Sequence, residues 1–118
     1  MSNVRFNLAA DNKLLAEFMG WKLIESDSEF VEGWGYWEDV DGNHICDDGL
    51  LSFDSWDDLM EVVEKIESVG YSVVITGNIC RIEHEGNGDF VICKTDNKIV
   101  SVYESCTSFV KWYNANVK

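Results

Sequence analysis

Oxygen-bearing side chains alternate in the stretch EDVDGNHICDDG, residues 38–49, where Asp39, Asp41 and Asn43 stand two apart. That spacing begins a calcium loop, which needs oxygens at positions 1, 3 and 5, a glycine at 6 and a bidentate glutamate at 12. Counted from Asp39, position 6 is His44 and position 12 is Leu50, so the two most diagnostic places hold the wrong residues. The flank fails too, because the preceding GWGYWE has the aromatic content of a strand where a calcium loop requires a helix. Asp41-Gly42 is a strong turn dipeptide, and Asp or Asn side chains satisfy nearby backbone donors in turns. A turn is expected here, and no metal.

Nucleophilic chemistry has two starting points, Cys46 beside His44 and Cys80 near His84. Residues two apart on a strand share a face, so His44 and Cys46 could meet. A working nucleophile also needs an orienting third group, which the sequence does not supply. The four cysteines, at 46, 80, 93 and 106, form no C-x-x-C pair, so neither a zinc ribbon nor a dithiol redox motif is written. If EGNG (85–88) closes a hairpin, Cys80 falls opposite Cys93, with His84 on the same face. Zinc is the rival to free thiols there, but the spacing is wrong and a fourth ligand is missing. No phosphate-cradling glycine loop occurs. No catalytic residue, cofactor or metal ligand is expected.

Charge is the stronger signal. Twenty-two acids face nine bases, a formal net charge of −13, which disfavours nucleic acid or an anionic membrane as a direct partner. Residues 25–67 hold fifteen of the acids and one base, Lys65; the rest of the chain is nearly balanced. An acidic run is most often a solvated face. A solubility effect alone gives no reason for that concentration, and a basic protein surface is the partner that fits.

The elements that would carry these residues follow from periodicity. NLAADNKLLAEFMG offers a cap at Asn7, apolar Leu8, Leu14, Leu15 and Phe18, and a stop at Gly20. WKLIESDSEFVEG is ambiguous, while WGYWEDV and NHICDD read as a short hairpin about Asp41-Gly42. SWDDLMEVVEKIESVG is the clearest helix, capped by Ser55 and stopped by Gly70. Apolar Trp56, Leu59, Met60, Val63 and Ile66 oppose Asp57, Asp58, Glu61, Glu64 and Glu67 on it. Acids suit the first turn of a helix and not the last two, so Glu64 and Glu67 call for another reason. YSVVITGNICRIEH, with Gly77 as a bulge, and DFVICKT read as two strands. A last helix, capped at Thr95 or Asp96, presents Ile99, Val102, Tyr103, Cys106, Phe109, Val110 and Tyr113 on one stripe, with Trp112 outside it. The expected fold is α+β: a single domain, residues 1–118, with a short antiparallel sheet packed with three helices in the order α-ββ-α-ββ-α. Forty-six per cent hydrophobic residues support a folded core. No apolar run spans a membrane, and MSNVRFNLAADNK lacks a signal-peptide layout, so the cytoplasm is the expected compartment.

NKLLAEFMGWK, SWDDLMEVVEKIES and KIVSVYESCTSFVKWYN together resemble small phage and prophage proteins, and look similar to the phage alpha-beta-alpha sandwich domain. The resemblance implies an origin and a fold, and brings no catalytic residues. With the charge, it points to a non-enzymatic inhibitor of a basic, nucleic-acid-handling host protein, of the anti-CRISPR or nucleic-acid-mimic type. The residues expected to bind that partner are Glu38, Asp39, Asp41, Asp47, Asp48, Asp57, Asp58, Glu61, Glu64 and Trp112. One alternative is a self-associating phage structural or accessory protein with Trp34, Trp37 and Trp112 in the contact. Another is a metal-dependent enzyme or sensor using His44, Cys46 and nearby aspartates.

Overall fold

Strands form where β-branched and aromatic residues cluster, and helices where apolar residues recur at three and four. The computed structural model describes residues 8–25, 35–84 and 88–117. Helix α1 (Ala9–Phe18) leads into β1 (Lys22–Glu25), β2 (Gly35–Glu38) and β3 (His44–Asp47), followed by a 3-10 turn (Asp48–Leu50). Helix α2 (Trp56–Ser68), β4 (Tyr71–Thr76), β5 (Ile79–His84), β6 (Gly88–Lys94) and α3 (Lys98–Asn116) complete the order. The strands make two antiparallel sheets, β1-β2-β3 and β4-β5-β6. The class is α+β as expected, but each expected hairpin has become a three-stranded sheet.

Two local reasons account for the extra strands. The ambiguous WKLIE segment supplies β1, which pairs Leu23 with Trp37 and Ile24 with Tyr36 on β2. Gly77 is not a bulge: with φ +58 it opens a two-residue Gly-Asn turn that pairs Thr76 with Ile79. A left-handed first turn residue suits a tight hairpin and is cheap only for glycine or a short polar residue. One expected strand is therefore folded back into β4 and β5. The register across the next hairpin pairs Cys80 with Cys93 as the sequence suggested, although residues 85–87 lie outside those described.

Helix caps follow the sequence in part. Ser55 caps α2, its Oγ accepting from Asp58 N at 3.2 Å, and Gly70 (φ +103) follows its end. The cap of α3 is Asn97, whose Oδ1 accepts from Ile99 N at 3.0 Å, rather than Thr95 or Asp96. Thr95 instead holds the cap residue, its Oγ1 accepting from Asn97 N. Leu8 occupies the cap position of α1 without a side-chain bond, and the expected cap, Asn7, lies outside the described residues.

Helix α3 sits at the centre of the core. It packs along β5 and β6, against α1 and beside α2, and α2 lies against β4. Phe109, Val110, Val102 and Cys106 of α3 are fully enclosed with Leu59, Val62 and Ile66 of α2, Leu15 and Ala16 of α1, and Cys80 and Ile82 of β5. Polar groups that enter this core are paired. Ser101 and Ser105 donate to the carbonyls of Asn78 and Cys80, at 2.6 and 3.0 Å, which fixes α3 lengthwise on β5. Tyr103 donates to Asn12 Oδ1 at 2.9 Å, and Asn12 donates in turn to the Leu51 carbonyl, tying α3 to α1 and to the segment before α2. Among the described residues no buried side-chain polar atom lacks a partner, as a stable interior requires.

Candidate functional site

The calcium-like loop is a turn. Asp39 Oδ1 accepts from Asp41 N and Asn43 N, both at 2.9 Å, and Oδ2 accepts from the Asn43 amide at 3.1 Å. Gly42, at φ +85, closes the bend by donating to the Asp39 carbonyl. Bonds from the backbone and side chain of Asn43, with those of Asp41 and Gly42, hold the Asp39 carboxyl below its usual range against the opposing effect of desolvation. Both carboxylate oxygens are thus committed to the turn.

Sheet one then separates the residues that could have met as a nucleophile and base. Between β2 and β3, Trp37 faces Cys46 but Glu38 faces His44, so one extra residue, Ile45, interrupts the alternation. This bulge turns His44 to the opposite face from Cys46. His44 stacks on Tyr36, with ring centroids 4.9 Å apart, and its Nε2 lies 3.6 Å from Asp47 Oδ1. Cys46 points with Trp37 into the core. The Cys80, His84 and Cys93 set is separated by distance: His84 is four residues along β5, roughly 13 Å from Cys80 at ordinary strand rise. Among the described residues no group of three or more His, Cys, Asp or Glu side chains could hold a metal. Cys46, Cys80, Cys93 and Cys106 form no disulfide, and burial pushes Cys80 and Cys106 upward, so both remain protonated at neutral pH.

The expected acidic site rests on more than one support. Glu38, Asp39 and Gly42 border a hollow with Gly20 and Lys22, so this part of the acidic segment has a cation beside it. Asp47 stands next to His44, and Asp48 begins the 3-10 turn. Asp57, Glu61 and Glu64 stand on the side of α2 turned away from the buried Leu59, Val62, Val63 and Ile66, with half-buried Asp58 on the Lys65 flank and exposed Glu67 on the opposite one. Among the described residues no ion pair engages any of these five carboxylates. Lys65 lies on the flank of α2 toward α1 and α3, beside Glu17, Phe18 and Tyr113.

Of the tryptophans expected at a contact, Trp37 is a core residue. Trp37 is 1 % exposed, so the self-association reading loses that residue, and Trp34 lies outside the described residues. Trp112 is half-buried against Tyr71 and Phe109, centroids 6.3 Å from each, and covers the end of β4. Among the described residues the most exposed tryptophan is Trp56, 40 % exposed at the start of α2, which the apolar pattern had assigned to the core. Its place in the first turn, at the margin of the apolar stripe, was the available clue.

No protein-family model matches the chain, and neither a curated protein nor a solved structure matches it.

Proposed function

We propose that this chain is a non-enzymatic binding protein that docks an acidic helix face onto the basic surface of a nucleic-acid-handling protein, as a phage-type inhibitor or nucleic-acid mimic does. The observation carrying this reading is the outer face of α2 and its two flanks, whose five carboxylates are clear of ion pairs among the described residues. Such a surface attracts cationic partners, speeds encounter and weakens as salt shortens the Debye length to about 8 Å at physiological ionic strength. Glu64 and Glu67 oppose the helix dipole, a local cost that a partner's cations would offset. The phage assignment rests on the resemblance of the three helical segments, and a cytoplasmic site of action follows from that assignment. Among the described residues no helix is long and apolar enough to cross a membrane.

The test is capture from host lysate at low and high salt, alongside a variant carrying Asp57→Asn, Asp58→Asn, Glu61→Gln and Glu64→Gln. The reading expects a basic protein recovered at low salt, released by salt or a competing polyanion, and absent with the variant. Equal recovery by both forms would make the helix face merely solvated.

A further inference from the structure

An edge strand offers a row of unpaired backbone groups to any passing chain, and proteins usually protect such edges with charge, proline, brevity or a bulge. Three of the four edges here are protected. β1 is four residues long with Lys22 and Glu25 at its ends. β3 is equally short, carries His44 and Asp47, and holds the bulge at Ile45. β6 contains an irregularity opposite Ile82 and Glu83 and ends in Lys94. β4 has none of these devices. Its six residues, YSVVIT, contain no charge, and its pairing with β5 runs without interruption from Tyr71 to Thr76. β5 is its one partner strand among the described residues.

Above this edge lies a particular flank of α2. Lys65 and Val69 turn toward α1 and α3, and α3 lies along β5 and β6. At 100° per residue the opposite flank carries Trp56, Met60, Glu64 and Glu67 and lies on the side where β4 has no neighbouring strand among the described residues. Trp56 is 40 % exposed there, and both glutamates are exposed.

We propose that β4 and this flank of α2 form a strand-addition site for an extended segment of a basic protein, bound as a fourth strand beside β4. Backbone bonding to β4 would supply affinity, and alternate side chains would supply selection. Those on the α2 side meet Glu64, Glu67 and Trp56, which suit lysine or arginine; those on the other side lie level with Ser72, Val74 and Thr76, which suit small or β-branched residues. A second copy of the chain is a poor occupant, because pairing β4 with β4 would bring two acidic α2 flanks side by side. The proposal rests on the reading of this chain as a binder of basic proteins and names the mode of binding.

The test uses the full chain and a labelled, end-blocked decapeptide that alternates lysine with threonine and valine. A second peptide has the same side chains with every amide nitrogen methylated, so it keeps the charge and loses its backbone donors. Expected results are binding of the first peptide, slowed hydrogen exchange of β4 amides, loss of binding on methylation, and several-fold weaker binding with Glu64→Gln/Glu67→Gln. Equal binding of the methylated peptide, or protection confined to α2, would overturn strand addition while leaving acidic docking intact. If neither peptide binds at low salt, both the edge site and the acidic-docking reading fail. An unchanged affinity in the Glu64→Gln/Glu67→Gln variant would overturn selection by charge.

Discussion

Asp39 shows how a residue suited to one chemistry is committed to another. Its two oxygens take three hydrogen bonds within the turn, so Asp39→Ala should lower the thermal midpoint even though these bonds stay within its own loop. Because its folded pKa lies below the ordinary 3.8, its contribution is present above that value and is lost as pH falls through the depressed pKa. The alkaline side has the opposite sign. Burial raises Tyr103 to about 12 and raises Cys80 and Cys106 above their ordinary 9.0, so the unfolded chain ionises first. The stability these groups contribute is complete below pH 9 and declines as pH rises toward 12, measurable as a falling midpoint in thermal melts. Cys106→Ala should flatten that decline while lowering the midpoint at neutral pH; an equally steep decline would assign it to other groups. At this scale the turn was legible, since Asp-Gly chemistry is local. The separation of His44 from Cys46 was not, because a one-residue bulge leaves no mark in the composition of a four-residue strand.

Element by element, α2 was the most legible, since its cap, apolar stripe and terminal glycine all agree. Ser55→Ala should cost about 1 kcal/mol, the usual loss for a cap, in denaturant melts. Glu67→Gln should do the reverse and stabilise by about 0.3–1 kcal/mol, with a smaller gain from Glu64→Gln one turn further in, because Glu67 lies at the negative end of its helix. Stabilisation together with weaker partner binding would mark these glutamates as kept for binding. Sheet two was half legible. The β5–β6 pairing followed from the position of EGNG, and the Cys80–Cys93 register came with it. The β4–β5 turn was missed because β-branched residues continue on both sides of Gly77-Asn78, and one glycine between two apolar runs reads as a bulge as readily as a bend. Helix α3 hid its burial differently: Ser101, Ser105 and Thr107 are enclosed and hydrogen-bonded, so polar letters occupy interior positions. Phe109 is enclosed among Phe18, Tyr71, Trp112 and Tyr113. Its replacement by alanine should cost about 3–5 kcal/mol in denaturant melts, more than the loss of the Ser55 cap.

For the molecule as a whole, the charge asymmetry of the sequence is carried by different supports: a turn with Lys22 beside it, a strand face with His44, and a helix face with no cation paired to it among the described residues. The fold class could be read from element order, whereas the division of the acids could not, because linear proximity between residues 38 and 67 says nothing about which elements turn them outward. The proposed binding is therefore centred on α2 rather than on the whole acidic segment. The most direct measurement is the salt dependence of capture by wild-type protein and by the form neutralised at Asp57, Asp58, Glu61 and Glu64. Recovery of a basic partner that falls steeply with salt for the wild type and is lost in the neutralised form is the predicted result; salt-insensitive recovery, equal in both, would contradict it.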